Sequence, residues 1–280
     1  MKTIKLSNGY NIPAIGLGTW QSMENEAEKA VLAALETGYR HIDTAAFYDN
    51  EQEVGKAVRE SGIPREDLFL TTKIWNSVST AEEADKAIDQ SLQRLGCGYI
   101  DLLLLHWPGS CSRNAAVYSA MEKAVDAGKV RSLGVSNHNI HHIDALLKTA
   151  GIAPVVNQVE CHIHLQNHRL QAWCAEKGII LEAYAPLKSW RVKDVLEDSG
   201  LQKVAEKHGK TPVQIALRWF IQRGIVPLPK SVNPQRIASN FDVFNFSLTD
   251  EDMKVLRSRN KGQKLFMEPD NIDFGFPALE

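Results

Sequence analysis

What most limits how this chain can fold is a beat. Short apolar runs alternate with helix-patterned segments along nearly the whole sequence, without a linker or a shift of composition between them. Thr3 to Leu6 and Tyr10 to Ile12 flank Asn8-Gly9 and read as a β-hairpin with a tight turn. AIGLGTW follows as a short strand ending near Gly18. Further strands are expected at Tyr39 to Asp43, Leu68 to Lys73, Ile100 to His106, Val130 to Val135, Val155 to Gln158, Ile179 to Ala183 and Ile225 to Leu228. Between them, helical spacing and caps place helices at Glu24 to Thr37, Glu51 to Glu60, Thr80 to Leu95, Ala115 to Asp126, Ile140 to Lys148 and His168 to Glu176. Lys193 to Lys207 and Pro212 to Gln222 read as helical before the last strand, and Pro234 to Ser239 and Asp250 to Arg259 after it.

Eight strands, each followed by helix, predict an α/β fold of the (β/α)8 TIM-barrel type, with 1–280 as a single domain. An open doubly wound sheet is the runner-up. Its first βα turn usually carries GxGxxG, and here Gly16 and Gly18 are followed by Gln21 where the third glycine belongs. The barrel is therefore preferred, with a C-terminal tail over or beside its mouth.

Composition narrows the function. With 32 basic against 34 acidic residues the net charge is −2, which leaves no basic face for nucleic acid. The first residues, MKTIKLSNGYNIP, lack the apolar stretch of a signal peptide, and the longest apolar run, Ile100 to Leu105, is broken by Asp101 and too short to span a bilayer. The four cysteines are widely spaced, with no CxxC pair, so reduced thiols in a cytoplasmic protein are expected.

Chemistry should lie where the strands end, because the C-terminal rim of a barrel builds its site. Three consecutive strands finish on Asp43, Lys73 and His106, and Tyr48 follows the first closely. A free tyrosine titrates near 10, which makes it a sluggish acid at neutral pH. A neighbouring lysine is expected to lower that value, and an aspartate would keep the lysine charged and aimed. With a histidine to position a carbonyl oxygen, such a group suits aldehyde or ketone reduction, in which hydride reaches carbon and a tuned acid protonates oxygen. Amino acids carry no hydride, so a cofactor is required. Between Leu228 and Asn240, Lys230, Ser231 and Arg236 surround a helix start without any carboxylate, which favours NADPH over NADH.

At these residues the sequence resembles the aldo-keto reductase superfamily over nearly its whole length. GLGTW, GYRHIDTAAFYDNE, TKIWN, DLLLLHWP, GKVRSLGVSN, VVNQVECH and PLPKSV match its motifs in order. The likeness is strongest to the short bacterial members that include 2,5-diketogluconate and methylglyoxal or glyoxal reductases. It implies a catalytic tetrad of Asp43, Tyr48, Lys73 and His106, with Tyr48 the proton donor. It implies that Ser136, Asn137 and Gln158 hold the nicotinamide carboxamide, that Tyr184 stacks on the ring, and that Pro186 and Leu187 lie along the pyrophosphate. Lys230, Ser231 and Arg236 would take the 2′-phosphate with Asn240 near the adenine, and Gly18, Thr19, Trp20, Asp43 and Val232 complete the cofactor set. Trp20, Trp75, Trp107 and His106 would line the pocket for a small carbonyl substrate. The likeness also implies a monomer.

Three departures stand out: Ser239 where many members place glutamate, Ala185 in place of a common serine, and Ile163 in place of proline. Phe266, Met267, Phe274 and Phe276 make the tail apolar, suited equally to draping the mouth or packing on the barrel side. Two other classes compete. The crowd of His138, His141, His142, His162, His164 and His168 raises a metal-dependent hydrolase. Those residues are expected past a strand end or on a helix rather than at the mouth, so no catalytic metal is expected. A binding module of low turnover is the other, and the intact tetrad argues against it.

Overall fold

The computed structural model describes residues 2–23 and 25–271. Phe274 and Phe276 lie outside them. The chain opens with the expected hairpin, β1 (Thr3–Lys5) antiparallel to β2 (Asn11–Pro13). Next come β3 (Leu17–Gly18), β4 (His41–Asp43), β5 (Phe69–Ile74), β6 (Ile100–Leu105), β7 (Val130–Ser136), β8 (Val156–Glu160), β9 (Ile180–Tyr184) and β10 (Val226–Pro227), neighbours in chain order in one eight-stranded parallel sheet. The sheet closes on itself. Gly16 N donates to Pro227 O at 3.1 Å, Gly18 N to Pro229 O at 3.2 Å, and Gly18 forms a parallel bridge with Lys230.

Helices fill the connections: α1 (Asn25–Thr37), α2 (Glu51–Glu60), α3 (Ala81–Leu95), α4 (Cys111–Asp126), α5 (Ile140–Leu147), α6 (His168–Glu176), α7 (Lys193–Leu196), α8 (Ser199–His208) and α9 (Pro212–Gln222). After β10 follow α10 (Pro234–Phe241) and α11 (Asp250–Arg257). The strand period of two divides the core in two. Leu70, Ile74, Leu103, Leu105 and Val135 face outward and pack with helix residues such as Val31, Ile88, Val117 and Ile215. Phe69, Leu102, Leu104, Val156, Val226 and Leu228 cluster inside the barrel, where Leu6 and Ile12 of the hairpin join them as a plug. Two inward positions must be glycine. A Cβ on Gly16 would meet His41 Nδ1 at 2.6 Å, and one on Gly134 would meet Leu104 Cδ2 at 2.5 Å and Val156 O at 2.8 Å.

The expected elements are all present, and the boundaries move for local reasons. α4 starts at Cys111 rather than Ala115, because Ser110 accepts from Arg113 N and so caps a polar first turn that shows no apolar period. The stretch expected as one helix from Lys193 to Lys207 is broken at Asp198, whose carboxylate accepts from Gly200 N and Leu201 N and starts α8. β8 continues beyond Gln158 to Glu160.

Candidate active site

Register brings the polar strand ends together. Asp43 lies opposite Thr71, and Lys73, two residues further along β5, points to the same face one step nearer the rim. His106 follows β6 directly, its N–H donating to Ile74 O. Tyr48 sits on a one-turn 3-10 segment, Ala46–Tyr48, between β4 and α2. That turn is anchored by Asn50. Its Oδ1 accepts from the Thr44 hydroxyl at 2.6 Å, and its Nδ2 donates to Thr19 O and Ser22 O.

Lys73 Nζ is the hub. It donates to Asp43 Oδ1 at 2.7 Å, to Thr44 O at 2.8 Å and to Tyr48 Oη at 3.3 Å. Lys73 is 1 % exposed, so water does not compete for these bonds. The other oxygen of Asp43 accepts from Gln158 Nε2 at 2.7 Å, and the same amide donates to Glu182 Oε2 at 2.9 Å. The His106 ring stands 5.6 Å from the Tyr48 ring and 4.9 Å from the Trp75 ring.

Burial shapes the proton affinities here. It pulls the Lys73 ammonium down, but Asp43 and Tyr48 more than offset it and leave the lysine raised and cationic. Burial raises the Asp43 carboxyl, and the charge and hydrogen bond of Lys73 draw it back toward an ion pair. For Tyr48 the expected lowering is reversed. Packed surroundings push the phenol above its ordinary value, and Lys73 recovers only part of that rise. His106 is held well below the usual imidazole range by burial and then by Lys73, so its ring is neutral. The arrangement is a protonated phenol beside a fixed cation and a neutral imidazole, a set that can protonate an oxygen and stabilise the charge left behind.

The rim beyond β6 is polar and partly strained. Asn137 has φ 62°, and its Nδ2 donates to His106 O and to Ser136 Oγ. Tyr184 Oη donates to Asn137 Oδ1 at 2.8 Å, while Ser136 Oγ donates to Gln158 O. Thr19 Oγ1 donates to Asp43 O, and a Cβ on Gly18 would press on Leu228 O. Gln21, Ala185, Lys188 and Ser189 also hold left-handed φ without being glycine. Pro186 is buried and Leu187 packs partly on the outer core.

At the start of α10 the surroundings are open. Lys230, Val232 and Arg236 are exposed, and Asn240 is buried beneath them. Lys230 Nζ donates to Gln21 O across the barrel seam, and the Ser231 hydroxyl is taken up in a turn with Asn233. The Arg236 side chain makes no hydrogen bond or ion pair to a described residue. A free guanidinium at a helix start, with a second cation on the same rim, fits the phosphate of a 2′-phosphorylated dinucleotide.

Aromatic side chains wall the mouth. Phe47 stacks on Trp75 with centroids 3.8 Å apart and is 53 % exposed. Phe266 of the tail reaches Trp20 (5.6 Å), Tyr184 (5.3 Å) and Trp190 (5.3 Å) edge to face. Glu160 holds the tail there by accepting from the N–H groups of Leu265 and Phe266. The described part of the tail therefore lies over the mouth. Trp20 and Trp75 are half-buried there, whereas Trp107 is 8 % exposed and its carbonyl accepts from Asn76 and Arg113. Of the crowded histidines, His162 faces Glu160 and His164 faces Asp198, with Lys188 on its other nitrogen.

Phe47 and Trp190 are aromatic residues of this rim that the sequence reading does not single out. The adjacency of Phe47 to Tyr48 was a usable cue. Trp190 follows a loop with no period to read.

The sequence profile of the Aldo/keto reductase family matches residues 14–261. Glyoxal reductase of Bacillus subtilis is 44% identical over 273 residues, covering 97% of this chain and 98% of its own. Glycerol 2-dehydrogenase (NADP(+)) of Saccharomyces cerevisiae is 42% identical, covering 96% and 94%. Among solved structures, MGS-M4, an aldo-keto reductase from a Medee basin deep-sea metagenome library, superposes with a TM-score of 0.96 at 52% identity, covering 97% and 100%.

Proposed function

The chain belongs to the aldo/keto reductase family and is an oxidoreductase, and from that premise we propose that it reduces small aldehydes and ketones to alcohols with NADPH. The observation that carries this reading is the position of Lys73 Nζ, bonded to both Asp43 and Tyr48 in a dry corner. When bound, NADPH supplies a hydride to the carbonyl carbon. Tyr48 donates its phenolic proton to the carbonyl oxygen, and Lys73 stabilises the phenolate that remains. Asp43 keeps Lys73 charged and aimed. His106, neutral, can hydrogen-bond the carbonyl oxygen without adding charge to the corner. Burial raises the Tyr48 phenol and so works against proton donation, and Lys73, whose charge and hydrogen bond oppose that rise, is the group that favours the phenolate as the proton leaves.

Ser136, Asn137 and Gln158 would hold the carboxamide, with Tyr184 against the ring. Gly18, Thr19, Trp20, Pro186 and Leu187 would flank the rest of the cofactor. Lys230, Ser231, Val232 and Arg236 would take the phosphate end, with Asn240 beneath. The unpaired Arg236 and the absence of any carboxylate between Leu228 and Asn240 support NADPH over NADH.

Trp20, Phe47 and Trp75 make the substrate side apolar, with Trp107 behind them. On that account 2-oxoaldehydes and aromatic aldehydes should rank above keto-sugars, a preference in line with the glyoxal reductase likeness. We take 1–280 as one domain, monomeric and cytoplasmic, without a nucleic-acid partner. All four cysteines are free, and among the described residues no helix is long and apolar enough to cross a membrane. The test is a panel of these carbonyls ranked by kcat/KM with NADPH. Keto-sugars at the head would overturn the substrate preference, and no NADPH oxidation with any carbonyl would overturn the function.

A further inference from the structure

Away from the mouth chemistry, the tail meets the first turn of α5 in a cluster that the reaction does not use. Asp270 Oδ1 lies 3.1 Å from His141 Nε2 and 3.3 Å from His142 Nε2. One ligand atom from each of the three residues falls within 4.8 Å of the others. The Asn139 side-chain amide donates to Asp270 Oδ1 at 3.0 Å and to Glu268 Oε1 at 3.2 Å, which fixes the tail against α5 from the second side. His142, Asp270 and the thiol-bearing Cys111 line one cavity of about 260 Å³.

We propose that His141, His142 and Asp270 bind a borderline divalent transition metal of the Zn²⁺ type, which clamps the tail to α5. Ligand atoms at 2.0–2.2 Å around a tetrahedral zinc stand roughly 3.3–3.5 Å apart. The two His–Asp separations already lie near that value, and all three ligand atoms fall within 4.8 Å of one another, so ligation takes a modest rearrangement of the imidazoles about Asp270. Two imidazoles and a carboxylate select zinc-like ions over Mg²⁺, which prefers an all-oxygen shell. The fourth position is left to water.

His142 Nδ1 accepts from the Asn139 N–H, which places the ring proton on Nε2. Ligation through Nε2 moves that proton to Nδ1 and gives up the part-buried bond from the Asn139 N–H. The consequence reaches the mouth. Phe266, four residues before Asp270, lies against Trp20, Tyr184 and Trp190, so a metal at Asp270 would hold this strap down.

The test uses the full chain, free of any polyhistidine tag, and Zn²⁺ alone. Zinc affinity is measured in competition with a chromophoric chelator, and amide hydrogen exchange is followed in parallel across Leu265 to Asn271. One equivalent of Zn²⁺ should bind and slow exchange in that segment. Replacing even an outer-shell partner costs metal sites about 10–100-fold, so His141→Ala and Asp270→Asn should each weaken binding by at least about tenfold. Cys111→Ser should bind as the parent does, and Mg²⁺ should not bind. The proposal is overturned by any of four results: no zinc binding, undiminished binding by Asp270→Asn, loss of binding in Cys111→Ser, or binding without slower exchange in the tail.

Discussion

The two ends of the proposed site are built in opposite ways. At the ends of β4 and β5, Lys73 and Asp43 are almost completely buried and are bonded in advance to each other and to Gln158. At the start of α10, Arg236 is exposed and has no side-chain partner among the described residues. Proton transfer gains from groups whose positions are settled before the substrate arrives, because reorganisation during the reaction adds to the barrier. Phosphate capture needs the reverse. A cofactor that must enter and leave is best met by charges that stay hydrated until it docks.

The sharpest way to break this comparison is Tyr48→Phe. Loss of a positioned acid should lower kcat by about 10²–10⁴-fold while NADPH binding, followed by quenching of tryptophan fluorescence, is retained. Full turnover in this variant would place the proton donor elsewhere. Lys73→Met comes next. It strands the buried Asp43 charge and should cost about 3–5 kcal/mol in urea denaturation, with much of the loss recovered in the double variant Lys73→Met, Asp43→Asn. An unchanged urea midpoint would mean that the corner is not prebuilt.

Glu182 sharpens the picture of how charge is rationed inside the barrel. Burial, and then Asp43, raise its carboxyl from the ordinary 4.5 to about 8. The folded state thus holds a proton that the unfolded chain releases above about pH 4.5. Its stabilising contribution is complete below that pH and is lost as pH rises toward about 8, at up to roughly 1.4 kcal/mol per pH unit. Glu182→Gln should remove that slope, gaining on the parent protein between pH 5 and 8 in urea midpoints. Parallel curves would show that Glu182 is ionised in the fold.

The smallest effect belongs to the open end. Arg236→Ala should raise KM for NADPH by roughly 10–100-fold, the worth of one charge-assisted hydrogen bond, and leave KM for NADH nearly unchanged. Its urea midpoint should barely move, within about 0.5 kcal/mol in stability. Equal effects on the two cofactors would remove the 2′-phosphate assignment.

Much of this was legible along the chain. The hairpin, the eight strands and the residues that end them follow from patterns a few residues long, since period two, period 3.6 and the caps are local properties. Boundary errors arose where a side chain overrode the pattern, as Asp198 did by starting a second helix inside one apolar stretch. Tyr48 teaches more. Its lysine neighbour could be inferred from the strand ends, but the direction of its shift could not, because burial outweighs that neighbour and burial belongs to the folded molecule.

The sequence by itself determined the barrel, the hairpin and the identity of the polar strand ends, because each is written in spacing along one stretch of chain. Only the tertiary structure decided that Phe266 crosses to Trp20 and Tyr184, that Gln158 bridges Asp43 and Glu182, and that Asp270 meets His141 and His142. Those partners stand far apart in the chain, and no local period records which distant residue a closed barrel brings to its rim.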